Sequence, residues 1–289
     1  MRALAEFVMR GRVQAISVAI AGVVLPFCVW VSAAVIGLVT LRRSAQDAVV
    51  VLGWGVLAAM AMLLWQGDPG PVVALIGTAA AAWVLRLSRS WPYALVAIVI
   101  AGLLSALVLS ASHSGFVAMV TEKLNELFVA LRTKMSAEQA ALLGEMTTIQ
   151  VSGLLGIRSA ALIIIALLIA RWWQAMLYNP GGFREEFHRL RLPGSMVIGL
   201  IAAGLLIAQI GSDYQIWTGL FTLPFVVAGV ALVHGLVGTM RWGRGPLIVL
   251  YIAWLVALEL VTGVLVLMAL VDSWWDFRGR LIAKQKRQQ

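Results

Sequence analysis

Residues Arg171 to Pro193 read RWWQAMLYNPGGFREEFHRLRLP, a polar and arginine-rich stretch between two long apolar segments. Four arginines, Arg171, Arg184, Arg189 and Arg191, fall within it. Short loops of this kind are retained on the cytoplasmic side of a membrane, so the stretch fixes the direction of the segments on either side. Asn179-Pro180-Gly181-Gly182 breaks the incoming helix. Beyond the break, Phe183, Phe187 and Leu190 fall on one side of a short amphipathic helix and Arg184, His188 and Arg191 on another. That helix is either a basic element resting on the inner leaflet or a docking site, carried by Arg184, His188 and Arg191, for a cytoplasmic protein partner.

Composition agrees with the reading of the loop. Of 289 residues, 62% are hydrophobic and 12% charged, about half the charged share of a soluble domain. Such a chain cannot clothe a globular surface in polar groups, so its main solvent is the lipid bilayer. Because lipid-exposed backbone must satisfy its own hydrogen bonds, the fold class is all-α: a polytopic transmembrane helical bundle of eight or nine helices forming a single transmembrane domain over 1–289. The net charge of +9 does not point to nucleic acid, because the basic residues sit between apolar spans and follow the positive-inside pattern. The single cysteine, Cys28, excludes an internal disulfide.

Outward from the loop the charges alternate as a zigzag requires. Toward the N-terminus, Val13 to Leu41 is too long for one span and is flanked by arginines at both ends. It reads as a hairpin turning at Leu25-Pro26-Phe27, with a single Pro-kinked span as the alternative. The basic start at Arg2, Arg10 and Arg12 lacks a persuasive cleavage site and is read as retained. Ala48 to Trp65 runs out to the turn at Gln66–Pro71, whose one charge is Asp68. Val72 to Leu87 returns, and Tyr93 to Ala111 runs out again. Residues 112–149 form an external amphipathic excursion: Phe116, Val120, Leu124, Leu127, Leu131 and Met135 recur at helical spacing, and a Ser136/Gln139 capping box starts a second helix carrying Leu142, Leu143, Met146 and Ile149. Val151 to Ala170 leads back to the loop. Toward the C-terminus, Met196 to Ile210 and Ile216 to Met240 form a pair, and Pro246 to Val271 is the last apolar region. By parity the basic tail 272–289 should then be external, whereas Arg278, Arg280, Lys284, Lys286 and Arg287 call for the cytoplasm. Either the last region is a broken or re-entrant hairpin, or an earlier span is miscounted.

No metal-ligand spacing links His113, His188 and His234, and no nucleophile elbow or phosphate loop occurs. The sequence therefore points to no metal, no cofactor and no enzymatic activity. Two ionisable residues read as lying at membrane depth, where each costs about 2.5–3.5 kcal/mol at a span centre: Arg158, and Glu259 near the middle of the last apolar region. If both face the bundle interior, Gln150, Gln209 and His234 are their polar neighbours. Arg158, Glu259, Gln209 and His234 are accordingly the candidate ligand-binding residues for a small molecule. The alternatives are a purely structural ion pair, or an arginine that snorkels and a protonated glutamic acid. Most of the twelve tryptophans fall near span ends as interface anchors.

RALAEFVMRGRVQA, LPFCVWVSAAVIGLVTLRR, RWWQAMLYNPGGFREEFHRLRLP and VDSWWDFRGR together resemble the YybS-like family of polytopic membrane proteins, in its gammaproteobacterial branch. Tyr178 to Phe183 and Asp272 to Arg278 are the most specific parts. That family is similar in layout to the substrate-binding S components of energy-coupling-factor transporters and to MreD-type proteins. The resemblance implies a multi-pass protein of the bacterial inner membrane and supports the hairpin over Val13 to Leu41; it carries no binding residue with it. Two functions are expected from this: a solute-binding or transport component with a polar cavity reached by Arg158 or Glu259, or a scaffold or assembly protein of the cell envelope. A solid bundle with Glu259 facing lipid would favour the scaffold.

Overall fold

Apolar segments broken only by Pro, Gly and Ser-Asp turns fold into helices, and the computed structural model, which describes residues 1–112, 115–136, 138 and 144–280, contains thirteen α-helices and one 3-10 turn among them. These are α1 (Arg2–Arg10), α2 (Arg12–Val24), α3 (Val29–Arg42), α4 (Ala45–Gln66), α5 (Gly70–Ser88), α6 (Trp91–Ala111), α7 (Gly115–Arg132), α8 (Thr148–Tyr178), α9 (Gly182–Arg189), α10 (Gly194–Ala208), the 3-10 turn Ser212–Trp217, α11 (Thr218–Met240), α12 (Gly245–Val256) and α13 (Leu258–Trp275). Six elements are long and apolar enough to cross a membrane alone, and α9 with α10, bent by 68°, makes a seventh candidate. The protein is an all-α, multi-pass membrane protein. The helix number exceeds eight or nine in part because Gly11 and Ala257 each interrupt what reads in sequence as one run; the turn at Leu25–Cys28 falls where the hairpin is expected.

The 31-residue α8 is the central post. Its first turn is closed by a capping box in which Thr147 accepts from the Gln150 N–H and the Gln150 side chain accepts from the Thr147 N–H. Helices α3, α5 and α6 pack along it, burying Ile163, Leu167, Ala170 and Trp173. Trp217, fully buried from the 3-10 turn, donates its indole N–H to the Ile149 carbonyl at 3.0 Å, fixing the start of α11 beside the start of α8. The charge pattern along the sequence does not single out this tryptophan.

Charge divides the bundle into two ends. The loop end gathers fifteen arginines against six carboxylates among the described residues; the opposite end holds four cations against seven carboxylates. At the basic end Arg12 pairs with Asp47, Arg43 donates to the Met9 carbonyl at 2.7 Å, and Arg86 donates to the carbonyls of Thr40 and Arg43. These bonds hold the entry of α2, the exit of α3 and the exit of α5 at one level. The 13-residue α2 and 14-residue α3 are therefore a hairpin that starts and finishes at the basic end. At 1.5 Å per residue each arm is about 20 Å long, short of a hydrocarbon core of about 30 Å.

A second hairpin closes the chain and resolves the parity conflict. Helix α12 leaves the end of α11 and breaks at Ala257, and α13 returns alongside α11. Trp254 in one arm donates to Thr262 in the other at 2.9 Å. The return direction is set by contacts with α11 and α10: the Leu265 backbone lies against Gly229, Arg278 against Gly235, and Trp274 against Gly194 at the start of α10. The last described residues thus lie at the basic end, as their arginines require. Of the 112–149 excursion, α7 is helical and packs Val117 against Leu109, Val151 and Leu155. The second expected helix is corrected in part, since Met146 lies in extended chain and Ile149 belongs to α8. Gln139, Leu142, Leu143 and the tail beyond residue 280 lie outside the described residues.

Candidate functional site

The four residues proposed from sequence to line one cavity do not meet. Arg158 lies at the end opposite the basic loop. Its Nη2 donates to both oxygens of Asp68, at 2.9 and 3.2 Å, from α8 to the α4–α5 turn. Asp68 is positioned by its own backbone, because its Oδ1 also accepts from the Gly70 N–H at the start of α5. Glu259 is exposed on the outside of the bundle. The break at Ala257 explains why. Counting about 1.5 Å per residue from Leu265, which sits level with Gly229, Glu259 lies about 9 Å closer to the far end and about 7 Å short of the level of Thr218. It belongs to the apex of the α12–α13 hairpin and faces away from Arg158 and the bundle interior. Gln209 is the exposed C-cap of α10, and Gln150 is spent on the α8 capping box. His234 lies at the basic end.

The cavity that Arg158 does reach follows from helix length. Because the α2–α3 hairpin stops short, a space of about 520 Å³ remains between its turn, the α4–α5 turn and α8. Its walls include Pro26, Phe27, Trp30, Met62 and Leu162, and its polar side chains are Gln66, Asp68, Arg158 and Ser159. The Arg158 side chain is 49% exposed and that of Asp68 26%, so the pair faces the cavity. An ion pair this exposed contributes about 0–1 kcal/mol to stability. Among the described residues no hydrogen bond uses Arg158 Nε or Nη1, leaving donors for a carboxylate or other acceptor. Asp68 enters the sequence reading as a mark of topology alone; its role appears only when two turns distant in sequence converge.

At the basic end the short α9 behaves as its pattern predicts over most of its length. Phe183 and Phe187 turn inward and stack at 5.6 Å; Phe183 meets Trp91 edge-on, and Phe187 meets His234. Arg184 is exposed. Arg191 departs from the expectation: the helix ends at Arg189, and Arg191 sits in the extended link to α10, paired with Asp276 at 3.0 Å. Below it Arg278 donates to the carbonyls of His188 at 2.7 Å and Leu190 at 2.8 Å and to Asp272 at 2.7 Å. The second Asp272 oxygen accepts from the Phe277 N–H. Both side chains of this ion pair are more than nine-tenths buried, so it latches the C-terminal hairpin to the exit of α9. Burial first, then the charge of Arg184 and the nearness of His234 and Arg278, lower the His188 pKa below the ordinary histidine value. Burial works against the Asp276 carboxylate, but the Gly279 N–H and Arg191 hold its pKa below the usual range. His234 shares a hydrogen bond of 2.9 Å with the Tyr251 hydroxyl of α12, and its ring lies 6.4 Å from that of His188, among the residues expected to dock a partner.

No family model, curated protein or solved structure matches the chain.

Proposed function

We propose that this integral membrane protein is a solute-binding component of the bacterial inner membrane, probing the external side through the cavity above the α2–α3 turn. The observation that carries this reading is the Arg158–Asp68 pair facing a cavity of about 520 Å³. The pair presents a cation and an anion to open space beside the apolar faces of Trp30 and Leu162. A small polar solute carrying a carboxylate would take the free Arg158 donors, and one carrying an ammonium group as well would engage Asp68. The resemblance to transporter S components supports the same reading, as does the basic end, a surface for a soluble ATPase partner. The exposed position of Glu259 favours the alternative, a non-transporting scaffold of the cell envelope.

Mass spectrometry of small molecules that copurify with the protein in mild detergent tests the proposal. A solute retained by the wild type and lost from Arg158→Leu and Asp68→Asn, with thermal stability of the emptied variants within about 1 kcal/mol of the empty wild type, is the expected result. If the wild type retains no solute at all, or if both variants retain it equally, the cavity is not a binding site.

A further inference from the structure

A second polar opening lies at the other end of the molecule and faces sideways into the bilayer. Helix α12 buries none of its side chains and rests mainly on α11 and α13. Between it and α8 remains a cleft of about 370 Å³, floored by α11 at His234 and roofed by α9 at Arg184 and Phe187. Its α8 wall is apolar, formed by Leu168, Ile169 and Trp172. The cleft is therefore amphipathic along the membrane normal, apolar deep in the bundle and cationic where α9 lies over the basic end.

The polar groups are placed for an ester of phosphoric acid with an apolar tail. Arg184 has no acidic partner among the described residues, and it lies where α8 leaves the apolar layer, the level of lipid phosphates. The Arg184 Nη2 lies beside Gly238 of α11, and His234 sits four residues earlier on that helix, about 6 Å deeper. Its bond with Tyr251 leaves one donor over in either tautomer: if Nε2–H donates to the hydroxyl, the Tyr251 O–H is free, and if the hydroxyl donates, Nδ1–H is free. An ester carbonyl lies at that depth in a phospholipid. We infer that the α8–α12 cleft binds one anionic phospholipid, its phosphate on Arg184, its ester region at the His234–Tyr251 pair and its acyl chain along Leu168. A soluble phosphate compound would gain nothing from the apolar wall, and a zwitterionic lipid would bring a cation toward Arg184.

Native mass spectrometry of the full chain, with phosphatidylglycerol, phosphatidylcholine and inorganic phosphate as probes, tests this. The wild type should retain phosphatidylglycerol over phosphatidylcholine by about tenfold or more, the scale of one charge-assisted hydrogen bond. Arg184→Gln should lose that preference while its melting temperature in lipid-free detergent stays unchanged. Leu168→Trp, which fills the cleft, should lower occupancy by both lipids. Arg158→Leu should leave lipid retention intact, so failure of the solute reading and failure of this one are separable. Equal retention of phosphatidylglycerol by wild type, Arg184→Gln and Leu168→Trp would overturn the assignment, as would its displacement by inorganic phosphate at millimolar concentration.

Discussion

Single side chains at the basic end decide how the chain is closed. Arg278 satisfies two carbonyls and one carboxylate from within the protein, and removing one partner of a buried ion pair leaves the other unpaired in a poor solvent. Arg278→Leu should therefore destabilise by about 3–5 kcal/mol, read by chemical denaturation in detergent; an unchanged midpoint would show that the latch is idle. His188 gives the same region a pH dependence. The unfolded chain protonates this ring near pH 6.5, whereas the folded protein does so only at lower pH. The unfolded state thus binds more protons over that interval, and stability rises with pH through it and falls on acidification below about 6.5. Melting curves between pH 7.5 and 5 should show the loss, and His188→Gln should flatten it. The importance of Arg278 is hidden in the sequence, where it reads as one of several tail cations, because its partners lie at Asp272, His188 and Leu190.

At the scale of elements, two hairpins that begin and end at the basic side give the bundle its form. The first was legible from arginines flanking both ends of an apolar run with a central proline. The second appeared only as a contradiction in charge parity, since Pro246 to Val271 contains no turn residue where the chain reverses; the break falls at Ala257. Its position depends on α13 lying against α11, where the absence of a side chain at Gly229 admits the Leu265 backbone. A methyl group there meets main-chain atoms that cannot rotate away, so Gly229→Ala should cost about 1–3 kcal/mol. Gly199→Ala, which meets nothing within 4 Å, serves as the control; equal melting temperatures for the two would refute the packing argument. Topology is tested by labelling. In a Cys28→Ser background, Arg280→Cys and Arg184→Cys should react with an impermeant thiol reagent from the same side and Asp213→Cys from the other.

For the whole molecule, the sequence by itself determined the solvent, the helical class and the alternation of basic and non-basic turns as far as the last apolar region. These depend on sums over many residues: a charged share too small for a water-facing surface, segments long enough to cross lipid, and arginines concentrated at alternate turns. Adding two or three arginines to the Gln66–Asp68 turn should accordingly weaken the preference in orientation, seen as mixed labelling from both sides. Tertiary structure alone decided which polar groups meet. Arg158 was recognisable as costly at its depth, yet its partner is Asp68, ninety residues earlier, and Glu259, which composition pairs with it, lies outside near an apex. His234 joined the residues of the basic loop for the same reason. An ionisable group in a membrane protein needs a partner within hydrogen-bond reach, and a sequence records neither the azimuth of that group around its helix nor the neighbour packed against that face. Here both were set by a hairpin too short to cross and by one residue, Ala257, at which the chain turns back.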